Sequence, residues 1–144
     1  MESFVQSAAR HLKASEVLIG VEGLGDEAVY LAGYVAECSY KAVMELYSNK
    51  TTARNYGHNI VSLEDEGMNQ LRILYPEVDK RLAFNSTENT VLNHNHPQRR
   101  YFKSKLWTDE ECNLAYEKAL QIFEDTVVEM ILDGSLNREE LEPF

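Results

Sequence analysis

The stretch Asp26–Ser48, DEAVYLAGYVAECSYKAVMELYS, decides how the rest of the chain is read. Ala28, Leu31, Ala32, Val35, Ser39, Ala42, Val43 and Leu46 recur at steps of three and four, which places an apolar stripe on a helix. At a rise of ~1.5 Å per residue that helix runs roughly 35 Å, about the diameter of a small domain, so other helices can pack along all of it. Gly33 in its middle costs about 1 kcal/mol relative to alanine, a loss that makes sense where a neighbouring backbone comes close. Ala32, Ala36, Cys38 and Ser39 keep the surroundings small. Tyr30, Tyr34 and Tyr40 add broad surfaces whose hydroxyls need partners when buried, and as a group they read as packing rather than as a platform for a base. Glu37 and Lys41 stand four apart in the favourable order for an ion pair.

On the N-terminal side, Phe4, Ala8, Leu12, Ser15 and Ile19, with Val5 and Ala9 beside them, predict a first amphipathic helix beginning near Glu2 or Ser3. Gly20, Gly23 and Gly25 end it, and Asp26 is the expected N-cap of the second helix, so the two become antiparallel neighbours. Gly23-Leu-Gly25-Asp-Glu-Ala28 also fits a dinucleotide fingerprint, but that motif needs strands on both sides and no stretch here alternates. On the C-terminal side, Lys50–Tyr56 reads as a polar connection. Ile60, Leu63, Gly67, Leu71 and Leu74 predict a third helix with His58 or Asn59 at its mouth. Pro76 closes that helix and opens a short one reaching toward Phe84. Thr108-Asp-Glu-Glu111 is a capping box that starts a last long helix, ended by Gly134, with a short acidic tail over 135–144.

The expected architecture is one all-α domain over 1–144, an antiparallel four-helix bundle with a short extra helix and a long loop at about 85–107. Its net charge of −10 argues against broad DNA binding or attachment to an anionic membrane, so any phosphate site must be local. The N-terminus is polar and amphipathic, without the character of a signal peptide, and no apolar run approaches membrane-spanning length, which points to the cytoplasm. Cys38 and Cys112 fall in helical patterns without a Cys-x-x-Cys, as reduced structural thiols do.

Candidate chemistry is thin. His58 follows Gly57 at a predicted helix start, where an imidazole can either meet a bound anion or pack against the central helix. Arg99, Arg100 and Tyr101 offer a guanidinium fork and a ring to a nucleotide; alternatively Arg100 pairs with Glu37 and Tyr101 lids the core. His94 and His96 have the chemistry for metal binding or acid–base work, yet the polar loop around them explains them better. No helical acid has a histidine three positions on, so a carboxylate di-metal bundle is excluded; neither a metal site nor a cofactor is expected.

YLAGYVAECSYKAVMEL (30–46), GHNIVSLEDE (57–66), RRY (99–101) and LAYEKALQIFEDTVVEMI (114–131) together resemble the HEPN domain, named for higher eukaryote and prokaryote nucleotide-binding. The resemblance spans Phe4–Leu132 and is least over Pro76–Gln98. It implies a helical bundle, commonly a homodimer, and marks Gly33, Tyr34, Glu37, Lys41 and Gly57 as motif positions. Some HEPN domains are metal-independent ribonucleases carrying R-x4-6-H; none of the arginines here has a histidine at that spacing, Arg54 and His58 being one residue too close. The resemblance therefore implies a non-catalytic member that binds a nucleotide or partners a small nucleotidyltransferase in a toxin–antitoxin type module. Its implied nucleotide site comprises His58, Arg99, Arg100 and Tyr101. Two alternatives stand beside it: a divergent HEPN ribonuclease using His58, His94 or His96, and a bundle that docks a protein with no ligand.

Overall fold

The computed structural model of the chain describes residues 3–81, 87–93, 96–98 and 105–141. Every regular element among them is helical, and no strand occurs. Helix α1 (Phe4–Ile19) starts where its pattern predicts, with the Ser3 side chain accepting from the Gln6 N–H at 3.2 Å. Gly20, Gly23 and Leu24 carry the turn into α2 (Gly25–Tyr47), Gly23 at a φ of +84° that favours glycine. Asp26 is not the N-cap: it lies inside the first turn, and its Oδ2 accepts from the Leu106 N–H at 2.9 Å, tying the start of α2 to the segment before the last long helix. At Gly25 a Cβ would stand 3.0 Å from the Cys112 Sγ, so glycine lets that helix come close.

Helix α2 differs from the expectation of a single stripe. From Val35 to Met44 every residue is buried, charged ones included, so this helix is enclosed all round. Helix α1 covers one side, pinned where the Ser15 Oγ donates to the Ala28 carbonyl at 2.8 Å. The connection after α2 is helical too: Asn49 caps α3 (Lys50–Asn55) by accepting from the Thr52 N–H at 2.7 Å. A short cap of this kind outweighs the indifferent propensity of two threonines.

Asn59 then caps α4 (Ile60–Ser62), which continues through a π-helical stretch (Leu63–Met68) into α5 (Asn69–Leu74). At Gly67 a Cβ would meet the Met44 Cε at 2.6 Å, so a side chain there would have to displace the methionine tip. Pro76 opens α6 (Pro76–Arg81), as its fixed φ favours. The Thr108–Glu111 capping box is reciprocal, at 3.0 and 3.1 Å, and starts α7 (Asp109–Phe123). A π-helical stretch (Glu124–Val128) leads on to α8 (Glu129–Leu132), with the Thr126 hydroxyl donating to the Ile122 carbonyl at 2.6 Å. Cys112, Ala115, Ala119 and Ile122 turn inward, and α7 packs against α2 and α1.

Cys38 and Cys112 are buried and unbridged, and burial pushes both thiols up to about 11. Among the described residues no helix is long and apolar enough to cross a membrane.

A second, partly buried carboxyl group bears on α2 at Tyr40, one turn on from Glu37. Glu64 Oε1 accepts from the Tyr40 hydroxyl at 3.2 Å and from the Thr87 N–H at 2.8 Å. Burial is the largest influence and outweighs those bonds, raising the Glu64 pKa above 4.5. With a raised native pKa the folded chain binds more protons than the unfolded one, so this stabilising contribution is full below 4.5 and fades as pH rises through the native value. Glu64→Gln keeps an oxygen for both donors and removes the titration. Urea midpoints measured through that window should fall less steeply with pH than those of wild type; parallel profiles would show that Glu64 is not the group responsible.

Candidate functional site

Halfway along α2 the chain buries a carboxylate among nitrogen donors. Glu37 has only 4% of its side chain exposed, and its Oε2 accepts from the Lys41 Nζ at 3.1 Å, one helical turn on. Lys41 donates a second, short hydrogen bond to the Gly57 carbonyl and lies 5.6 Å from the centre of the Phe4 ring. Gly57 adopts a left-handed φ of +56°, a conformation an L side chain resists, and the turn it makes aims its own carbonyl at Lys41 and the next side chain at Glu37.

That next side chain is His58, whose Nδ1 lies 3.1 and 3.2 Å from the two Glu37 oxygens. His96 approaches from the segment before α7 and places its Nε2 2.9 Å from Glu37 Oε1. A carboxylate only accepts, so His58 carries its proton on Nδ1 and His96 on Nε2. The ring of Tyr34 stands edge-on to both imidazoles, with centroids 5.7 Å from His58 and 4.6 Å from His96. Burial by itself would raise the Glu37 pKa; the hydrogen bond from His96 and the charges of Lys41, His96 and His58 more than offset it and hold the carboxyl below its ordinary value. Glu37 is therefore ionised at neutral pH.

The two histidines are unequal. His96 is 2% exposed at its side chain, whereas His58 is 55% exposed and stands at the rim of a groove of about 530 Å³. Asn59, Val61, Pro97 and Gln98 are among the residues that line it, as are Tyr56, Ile60 and His96. An imidazole held by a buried carboxylate at one nitrogen, with the other directed away from it, can donate to an anion when protonated and accept a proton when neutral.

Of the predicted site residues, the structure places His58 at the groove and brings Tyr34, Glu37, Lys41 and Gly57 together around it. Gly33 is buried in α2. Arg99, Arg100 and Tyr101 lie outside the described residues, as does His94. Of the two residues expected at the mouth of the third helix, Asn59 is the cap, accepting from the Ser62 N–H at 2.9 Å, while His58 turns to Glu37 on the central helix. One expectation needs correction. His96 is not a solvated loop residue; it is buried against Glu37, a carboxylate 59 positions earlier. Local spacing could not have revealed that grouping.

The chain matches no family model, no curated protein and no solved structure against which it was compared.

Proposed function

We propose that this chain is a HEPN-like helical bundle of the non-catalytic kind, which binds a nucleotide in the groove at His58. In this reading it works as a homodimeric, cytoplasmic regulatory partner of a small nucleotidyltransferase in a toxin–antitoxin type module. The observation that carries it is the pairing of His58 with Glu37: the histidine of the Gly57-His58 motif is fixed at one nitrogen and presented at the rim of an open groove. Gln98 lines the same groove, and Arg99 and Arg100 follow it directly in the sequence. Guanidinium groups take the phosphates through paired N–H donors, His58 adds a further donor, and Tyr101 covers the base. The strongly acidic remainder of the chain repels stray polyanions, which leaves a short phosphate-bearing ligand as the preferred guest.

Melting curves with a panel of nucleoside mono-, di- and triphosphates test this. A ligand at 100 times its Kd stabilises by about 2.7 kcal/mol, a rise of several degrees for a domain of this size. One nucleotide class should raise the Tm of wild type and have little effect on His58→Ala or Arg100→Ala. No rise with any member would overturn the nucleotide reading.

A ribonuclease reading is favoured by one observation, the carboxylate–imidazole pair itself, since an acid that orients an imidazole is a common arrangement for a general base. It requires RNA cleavage in chelator that disappears in His58→Ala.

A further inference from the structure

We propose that Glu37, His58 and His96 form a binding site for one divalent transition-metal ion, with zinc the ion that suits it best. One donor atom from each of the three lies within 4.8 Å of the others. Glu37 Oε1 is 3.1 Å from His58 Nδ1 and 2.9 Å from His96 Nε2. Bonds of about 2.0–2.1 Å in a tetrahedral zinc site put neighbouring donor atoms roughly 3.3 Å apart, so these two separations need to open by only a few tenths of an ångström. Two imidazoles and one carboxylate are also the donor set that holds zinc where a fourth position stays open for another ligand.

The surroundings are built as such a site requires. Lys41 holds Glu37 Oε2, which leaves Oε1 to face both imidazoles. Tyr34 sets the planes of both rings by its edge-on contacts. Glu37 and His96 are almost fully buried, while His58 opens on the groove, so an ion would be approached from the His58 side and keep its free position there. The ion replaces the protons now shared with the carboxylate: each imidazole presents a lone pair, and its proton moves to the opposite nitrogen or to solvent. With Glu37 ionised and Lys41 charged, a bound dication leaves a local excess of positive charge. That excess favours an anionic fourth ligand such as hydroxide or a phosphate oxygen. The site stands on these three residues alone and does not depend on the nucleotide reading.

The test uses the full chain, stripped with chelator and titrated with zinc by calorimetry and with cobalt by visible absorption, in the absence of any nucleotide. The expected result is one saturable equivalent of each ion, a cobalt spectrum of a low-symmetry nitrogen and oxygen site, and an affinity lowered about tenfold or more in both His58→Ala and His96→Ala. His11→Ala, which removes an imidazole near Tyr34 but outside the donor set, should bind as wild type does. Because His96 is buried, circular dichroism must show that its variant folds; the half-exposed His58 supplies the decisive comparison even if it does not. No saturable uptake by wild type, or uptake unchanged in His58→Ala, would overturn the proposal.

Discussion

Lys41→Met should destabilise the protein by about 3–5 kcal/mol, because it leaves a buried carboxylate without its cationic partner. The ammonium is held in place twice, by Glu37 Oε2 at 3.1 Å and by the Gly57 carbonyl, and it lies over the Phe4 ring. Methionine fills the stem volume but satisfies neither oxygen. An exposed pair at the same helical spacing would be worth only a few tenths of a kcal/mol, so the size of the effect distinguishes a buried network from a solvated one. Urea denaturation at neutral pH measures it, and the unchanged m-value of a two-state transition would confirm that native stability has moved. The double variant Glu37→Gln/Lys41→Met should be less unstable than the two single losses added together, since it removes both charges at once. A loss below about 1 kcal/mol for Lys41→Met would place the pair among the screened surface bridges.

Ile122→Ala should be the next most damaging change, at about 2–5 kcal/mol. Ile122 is fully buried on α7, the helix that packs against the enclosed central helix, and removing its branched side chain opens a cavity in that interface. Leu132, ten positions further along the same helical run, is 73% exposed. Leu132→Ala should therefore shift stability by no more than about 0.5 kcal/mol. Guanidinium midpoints for the two variants give the comparison. Equal losses would mean that this end of the chain packs with the opposite face inward.

Those two residues also show what the sequence could convey. Ala115, Ala119 and Ile122 stand at steps of three and four after a capping box, and the structure buries all three behind that box. The start of α1 at Ser3 and the extent of α2 follow from the same kind of local signal. The periodicity of α2 predicted one buried face, whereas its middle is buried on every side, because a repeat of apolar residues reports the first partner helix and says nothing about the others. Glu37 and Lys41 consequently look like an ordinary surface pair in the sequence. Helix α3 was hidden for a different reason: its stability comes from the Asn49 cap rather than from apolar spacing.

The site was half legible. Gly57-His58 stands out as a motif, and the left-handed turn at Gly57 is a requirement a reader can anticipate. His58 lies 21 positions from Glu37 and His96 lies 59 positions from it, and no periodic pattern links contacts over such separations. Only the packed chain brings the two imidazoles to one carboxylate. What makes the grouping stable is again burial: Glu37 has to be ionised inside the protein, and it needs Lys41, His58 and His96 to be so.

The most direct measurement is nitrogen-15 NMR of the four histidine side chains in chelator, before and after addition of the nucleotides. One ring should be protonated at Nδ1, assigned to His58 by its loss in His58→Ala, and one at Nε2, assigned to His96. A bound nucleotide should then move the Nε2 resonance of His58 while its Nδ1 stays bonded to Glu37. A His58 ring that carries no proton on Nδ1, or that responds to no nucleotide in the panel, would contradict the claim that Glu37 presents this histidine to a phosphate.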